Sequence, residues 1–145
     1  MSATWTEQLS IGNAVLDSDH KKLIDMISHI AHVTKKRDSF TLLEELEFLN
    51  SCLNCHSIKE EQFAQALNFP VAMHKVAHQN LQAEIDLTMY ELKKNSIAGL
   101  FVMDDYAQFL QDCLIKHITE EDMLMKPVLQ TYPYNFKLSE MHVYS

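Results

Sequence analysis

Glycine and proline are scarce in this chain, with two glycines and three prolines among 145 residues. Folds built from strands and tight turns use these residues at their corners, and average proteins contain about 7% glycine and about 5% proline. The scarcity therefore favours an all-α fold. A chain of this length buries roughly 70% of its unfolded surface in one core, so we expect a single main domain.

The charge and hydropathy of the chain argue against nucleic acids and membranes as partners. The chain has 12 lysines and arginines against 20 aspartates and glutamates, a formal net charge of -8. It therefore lacks a cationic field for nucleic acid or an anionic membrane. No apolar run reaches the roughly 18 residues of a membrane span, and the first residues lack the pattern of a signal peptide. We expect a cytoplasmic protein whose three cysteines stay reduced.

Apolar residues recur at helical spacing in four stretches, which predicts four helices. The first follows the N-caps Asp17 and Ser18 and ends in the basic residues 35–37. The others cover residues 40–67, residues 70–92 with Pro70 in the first turn, and a stretch that starts between 97 and 104 and continues to 125 or 129. We expect an up-down-up-down four-helix bundle for residues 1–130, with an extended N-terminal arm held by Trp5 and an irregular C-terminal tail, residues 131–145.

The positions of five of the eight histidines indicate a metal site. His56 and Glu60 are four residues apart on the second predicted helix, and His74 and His78 are four apart on the third, so each pair projects from one helix face. Unpaired polar groups beside an apolar stripe are costly, and metal coordination removes that cost. Hydrogen-bonded core histidines are the alternative. The first and fourth predicted helices add His20 and His117, the latter followed by Glu120, Glu121 and Asp122.

Imidazole and carboxylate ligands together suit iron, zinc, manganese or copper. Five histidines are more than one tetrahedral zinc ion uses, so two metal ions are implied. A carboxylate can bridge two cations through its two oxygens, and the candidates are Glu60 and an acid after His117. On a regular helix Glu121 lies beneath His117, whereas Asp122 is rotated by about 140°. Spacing alone therefore selects Glu121.

Four short motifs, one on each predicted helix, carry the strongest sequence signal. In chain order they are Asp17-Ser18-Asp19-His20 (D-x-x-H), His56 to Glu61 (H-x-x-x-E-E), His74 to His78 (H-x-x-x-H) and His117 to Asp122 (H-I-x-x-x-D). Together with Trp5 and Ser10-Ile11-Gly12 they resemble the hemerythrin family, in particular its single-domain bacterial members, the bacteriohemerythrins. The resemblance covers residues 5–129.

The resemblance implies a centre of two Fe ions, non-heme and with an oxo or hydroxo bridge. It implies that Glu60 and Asp122 bridge the ions, and it thus favours Asp122 over Glu121. Glu61 and Glu121 become solvated surface acids. The histidines are then divided between the two ions, with His74, His78 and His117 on one and His20 and His56 on the other.

The function implied by the resemblance is reversible binding of O2 for storage, delivery or sensing. Five neutral imidazoles with two carboxylates carry less negative charge than the four-carboxylate sites of diiron oxidases, which favours binding over oxidative chemistry. We expect a non-enzymatic protein without catalytic residues that also accepts NO or small anions. The alternatives are a diiron enzyme or stress factor acting on nitric oxide or peroxide, an iron-donating repair protein, and a phosphotransfer bundle, which the paired histidines disfavour.

The three cysteines and the other three histidines fit none of the motifs. Cys113 stands where the family usually has tryptophan, and Ser57 where it often has an aromatic residue. Cys52 and Cys55 form a C-x-x-C pair, and we expect small core thiols there rather than a redox pair. The histidines outside the motifs are expected on the surface: His29, His32 and His142.

Overall fold

The computed structural model describes residues 5–35, 39–94 and 96–139, and these residues contain helices but no strand. A 3-10 helix, Glu7–Leu9, precedes the long helices, and another, Asp122–Met125, follows them. The α-helices are α1 (Ala14–Lys35), α2 (Ser39–Ala66), α3 (Ala72–Lys94), α4 (Ser96–Glu120) and the short α5 (Lys126–Leu129). The all-α prediction is confirmed.

The four long helices of the described chain pack in a ring. α1 and α3 each contact both α2 and α4, whereas diagonal pairs make few contacts. Short connections join consecutive helices, so neighbours run antiparallel, as the predicted up-down-up-down bundle requires. Buried apolar side chains repeat every three or four residues, including Leu23, Ile27 and Ile30 of α1 and Leu42, Leu46 and Leu49 of α2.

Asn13 caps the N-terminus of α1. Its Oδ1 accepts hydrogen bonds from the backbone N–H groups of Val15 (3.0 Å) and Leu16 (3.2 Å), which would otherwise lack partners. The prediction that Asp17 and Ser18 cap this helix is therefore wrong. The helix begins one residue after Asn13, and Asp17 lies within its first turn.

Asp17 instead holds the N-terminal arm. Its buried carboxylate accepts hydrogen bonds from the hydroxyl of Ser10 (2.5 Å) and the backbone N–H of Ile11 (2.9 Å). At the start of the arm, Trp5 packs half-buried against the core, with Lys21 Nζ 4.3 Å from its ring centre. The prediction that Trp5 helps to hold the arm is confirmed for the described residues.

A left-handed residue ends α2. Asn68 has φ 57°, its N–H donates to the carbonyl of Gln65 (3.3 Å), and the N–H of Phe69 donates to the carbonyl of Ala64 (2.7 Å). This is a Schellman motif, in which asparagine takes the place usually held by glycine. The predicted break at residues 68–70 is confirmed, but Pro70 stays in the loop rather than in the first turn of α3.

The fourth helix is not continuous to 125 or 129, as the sequence predicted. α4 ends at Glu120, and the chain tightens into the 3-10 helix, where the N–H of Leu124 donates to the carbonyl of Glu121 (3.2 Å). Pro127 disfavours a regular helix that runs through it, because it has no N–H and its ring clashes with the preceding turn inside a helix. It is accepted in the first turn of α5.

Part of the C-terminal tail packs onto the bundle. The Phe136 carbonyl accepts a hydrogen bond from the Asn13 side chain (3.0 Å), and the Tyr134 hydroxyl donates to Asp17 (2.8 Å). The Phe136 ring is buried, with its centre 6.5 Å from that of Phe63 in an edge-to-face contact. Residues near 136 therefore contribute to the core, while the domain boundary at residue 130 stays a prediction.

We expect Phe136→Ala to lower the free energy of unfolding by about 3 kcal/mol, because the substitution removes a buried ring. Tyr134→Phe removes the hydroxyl that donates to Asp17 and also contacts Ser10, and it is expected to cost about 1 kcal/mol. Urea denaturation of both variants measures these values. Equal costs in the two variants would contradict a core role for the Phe136 ring.

Candidate metal centre

Seven polar side chains meet inside the bundle, contributed by all four long helices and the 3-10 helix after α4. None of them is more than 8% exposed. They are the seven residues predicted from the sequence, namely His20 on α1, His56 and Glu60 on α2, His74 and His78 on α3, His117 on α4 and Asp122 in the 3-10 helix. Tertiary packing thus brings together every residue that was expected in the site.

The donor atoms of these side chains form two groups that share both carboxylates. Within each group, one atom from each residue lies within 4.8 Å of the others. The groups are His20, His56, Glu60 and Asp122, and Glu60, His78, His117 and Asp122. His74 lies beside them, with its Nδ1 3.6 Å from Asp122 Oδ1 and 4.0 Å from Glu60 Oε2. Carboxylates common to two sets of nitrogen donors can bridge a pair of cations.

The chemistry of the buried atoms fits a metal. Among the described residues, ten buried side-chain nitrogen and oxygen atoms make no hydrogen bond, and all but the Trp5 Nε1 belong to the seven residues. They include both ring nitrogens of His74 and both carboxylate oxygens of Asp122. Buried polar atoms without partners are costly. Coordination to cations would give these nitrogen and oxygen atoms partners.

The carboxylate of Asp122 reaches the histidines although a regular helix would rotate it away from them. Its Oδ1 lies 3.2 Å from His117 Nε2, and its Oδ2 lies 3.1 Å from His20 Nε2. α4 ends at Glu120, so the direction of the Asp122 side chain is set by the turn at Glu121 and not by regular helical spacing. Glu121 itself is half-buried and lines the cleft between α3 and α4. Spacing on a regular helix could not predict that Asp122, and not Glu121, faces the histidines.

Burial and the charges of neighbouring groups shift the pKa values of the site residues in opposite directions. Burial lowers the pKa of His20, but contacts with Asp122 and Glu60 outweigh this and raise it to about 10. For Glu60, burial raises the pKa, but the charge of His56 and the contact with His20 outweigh this and hold the pKa well below its usual range. The Glu60 carboxylate thus retains its negative charge, which protons on the imidazoles or a bound cation must balance.

Two further carboxylates contact the outer nitrogens of the site histidines. His56 Nδ1 lies 3.0 Å from Asp19, whose carboxylate also accepts a hydrogen bond from Lys59 Nζ (2.9 Å). His78 Nδ1 lies 3.4 Å from Glu61. Such contacts fix the orientation of a metal-binding imidazole, so that the opposite nitrogen faces the metal.

Neither contact was predicted from the sequence. Asp19 had no predicted role of its own, and the prediction that Glu61 is a solvated surface acid is wrong, because the side chain is 23% exposed and contacts His78. Both contacts join neighbouring helices, α1 to α2 and α2 to α3. Spacing within one helix carries no signal for them.

We expect Asp19→Asn to weaken metal binding about 10- to 100-fold, the usual effect of removing such an orienting carboxylate. Burial raises the pKa of Asp19, but His56 and Lys59 outweigh this and lower it to about 2, so the side chain is charged at neutral pH. Asp25→Asn, at an exposed position on the same helix, is the matched control. Competition with a coloured chelator measures the affinity, and unchanged affinity in Asp19→Asn would refute the orienting role.

Surface clefts that contain cysteines lie beside the site. The cleft between α3 and α4, about 300 Å³, is lined by Phe109, Cys113 and His117 among others. The groove between α1 and α2 is lined by residues that include Cys52 and Cys55. Cys52 packs half-buried against the core as expected, but the prediction of a core thiol is wrong for Cys55, which is exposed.

The histidines outside the site divide by position. His29 and His32 are exposed, which confirms their prediction as surface residues. His142 lies outside the described residues. None of the described helices combines the length and apolar character needed to cross a membrane.

The bundle and its cluster of donors define a helical metal-binding protein, and comparisons with known proteins place it in a family. The model for the hemerythrin HHE cation binding domain matches residues 12–129. The chain belongs to the hemerythrin family. Bacteriohemerythrin of Pseudomonas aeruginosa is 24% identical over 118 residues, which cover 81% of this chain and 75% of the relative. Bacteriohemerythrin of Stenotrophomonas maltophilia is 24% identical over 119 residues, with the same coverage. No solved structure matches.

Proposed function

We propose that the seven buried side chains bind two iron ions, with an oxo or hydroxo bridge between them. The observation that carries this proposal is that two groups of donors share Glu60 and Asp122. These two carboxylates would hold both ions. The histidines would complete the two ligand sets, with His20 and His56 for one ion and His74, His78 and His117 for the other.

The ligand set supports reversible binding of O2, which the protein stores, delivers or senses in the cytoplasm without catalysing a reaction. Two carboxylates balance only part of the charge of an iron pair, whereas four carboxylates, as in diiron oxidases, stabilise its oxidised state more strongly. When bound, the iron pair supplies the electrons for reversible O2 binding. Membership of a cation-binding family and the similarity to proteins named bacteriohemerythrin support this proposal.

The chain surrounds the site with apolar side chains that exclude water. Phe69 packs edge-on against His74, with ring centres 5.7 Å apart. Phe63, one turn after Glu60, and Ile118, next to His117, are buried. Charges and dipoles act more strongly where water is excluded, so these residues retain the bound ions and protect the site from side reactions.

Metal content and gas uptake test the function together. Protein loaded with iron under anaerobic conditions is expected to hold two irons per chain and to take up O2 in proportion to the protein. Under argon it is expected to release the O2, and its visible spectrum should change reversibly over repeated cycles. A single zinc ion, or no uptake, would contradict the proposal. Steady turnover of NO or peroxide with a reductant would favour the enzyme alternative, and transfer of iron to an acceptor without O2 uptake would favour the repair protein.

We expect Cys113→Trp to slow the binding of small anions severalfold. Cys113 lines the α3–α4 cleft together with His117, and an indole there would fill space that a thiol leaves open. Stopped-flow mixing of the oxidised, iron-loaded protein with azide measures the rate. Cys113→Ser, which keeps the size of the side chain, is the control. An unchanged rate in a folded, fully loaded tryptophan variant would show that anions enter elsewhere.

A further inference from the structure

A second group of metal-binding side chains lies outside the seven residues. Met26 on α1 and Cys52 and Cys55 on α2 line one groove between these helices. The two cysteines are three residues apart on α2, so their Cβ atoms lie on one face about 5–6 Å apart. The third cysteine of the chain, Cys113, lines the cleft between α3 and α4.

The three sulfur atoms suit a soft cation. Thiolate and thioether ligands select Cu(I) over harder cations, and the unbranched methionine side chain adapts readily to the position of a ligand. We propose that Met26, Cys52 and Cys55 form a three-sulfur site for Cu(I). None of these three residues belongs to the seven of the buried centre, although His56 of that centre lines the same groove.

Burial and charge in the groove are compatible with this cation. Met26 and Cys52 are half-buried, whereas Cys55 is exposed, so an ion can enter from solvent and lose part of its water. Two thiolates and one Cu(I) carry one net negative charge. Lys22 and Lys59 line the same groove, and the carboxylates of Asp19 and Asp25, which also line it, balance their charge.

A disulfide between the two cysteines fits the geometry less well. Disulfides need Cβ atoms about 3.5–4.5 Å apart, closer than helical spacing places them, so α2 would have to distort one turn before His56. Burial, together with the neighbouring Cys55, raises the pKa of the Cys52 thiol. A thiol with a raised pKa is a poor redox nucleophile, and Cu(I) would displace its proton when it binds.

Competition for Cu(I) tests the site. Iron-loaded protein, kept free of oxygen, is mixed with the coloured Cu(I) complex of bicinchoninate. We expect the protein to withdraw one Cu(I) per chain and to retain its iron, and we expect X-ray absorption to show only sulfur neighbours around copper. Cys52→Ser and Cys55→Ser should each lose copper to the complex. Met26→Leu should bind more weakly, with two sulfur neighbours, and Cys113→Ser should bind as the unaltered protein does.

Other outcomes would overturn the proposal. Failure to withdraw copper would exclude the site, and nitrogen neighbours or release of iron as copper enters would place the copper among the histidines. Because Cys55 is exposed, its serine variant is expected to fold, as circular dichroism can verify. Full Cu(I) binding by folded Cys55→Ser, or unchanged affinity in Met26→Leu, would show that these sulfurs are not ligands.

Discussion

Asp122→Asn is expected to leave the protein with at most one iron per chain. The Asp122 side chain is fully buried, and its two oxygens face His117 and His20, one from each group of donors. Asparagine keeps the shape but removes the negative charge and one of the two oxygen donors, so it cannot bridge two cations as a carboxylate does. Metal analysis after anaerobic loading, with circular dichroism as the test of folding, measures this.

The matched control is the neighbouring acid. Glu121 is half-buried in the turn after α4 and belongs to neither group of donors, so Glu121→Gln should keep both irons. Equal loss of iron in the two variants, or greater loss in Glu121→Gln, would reject Asp122 as the bridge. It would also restore the acid that regular helical spacing selects.

Removal of iron is expected to lower the midpoint of thermal unfolding by about 10–15 °C. Binding to the folded state alone adds about 4 kcal/mol at about 1,000 times the dissociation constant, and about 1 kcal/mol shifts the midpoint of a chain of this size by about 3–4 °C. Differential scanning calorimetry of iron-loaded and chelator-treated protein compares the two forms. A shift of less than a few degrees would mean that the buried donors do not need the metal.

The stability of the metal-free protein is expected to depend on pH. In the metal-free protein the pKa of His20 is raised from 6.5 to about 10, so its contribution to stability is complete below pH 6.5 and is lost as the pH rises towards 10. The pKa of Glu60 is lowered from 4.5, so its contribution is present above pH 4.5 and is lost on acidification. These two groups therefore stabilise the folded state of the metal-free protein most between about pH 4.5 and 6.5.

Iron binding becomes stronger as the pH rises, because metal ions require neutral imidazoles and compete with protons for them. The difference in midpoint between iron-loaded and metal-free protein should therefore widen as the pH rises from 6 to 8.5. Calorimetry at several pH values measures this difference. A constant or narrowing difference would contradict the competition between iron and protons at the histidines.

Features that depend on spacing within one helix could be predicted from the sequence. The apolar stripes and the scarcity of glycine and proline predicted the all-α bundle, which the structure confirms. The spacing of four residues between His56 and Glu60, and between His74 and His78, placed each pair on one face because helical geometry is local. Resemblance to a family, rather than spacing, selected Asp122.

Features that depend on packing between helices, or on where a helix stops, were decided only by the tertiary structure. α4 ends at Glu120, and the chain that turns there directs the Asp122 carboxylate towards His117 and His20. Asp19 and Glu61 contact histidines on neighbouring helices, and Phe136 reaches the core although it is far from Phe63 in the chain. Such contacts arise from the relative placement of elements distant in sequence, for which a local pattern of residues carries no information.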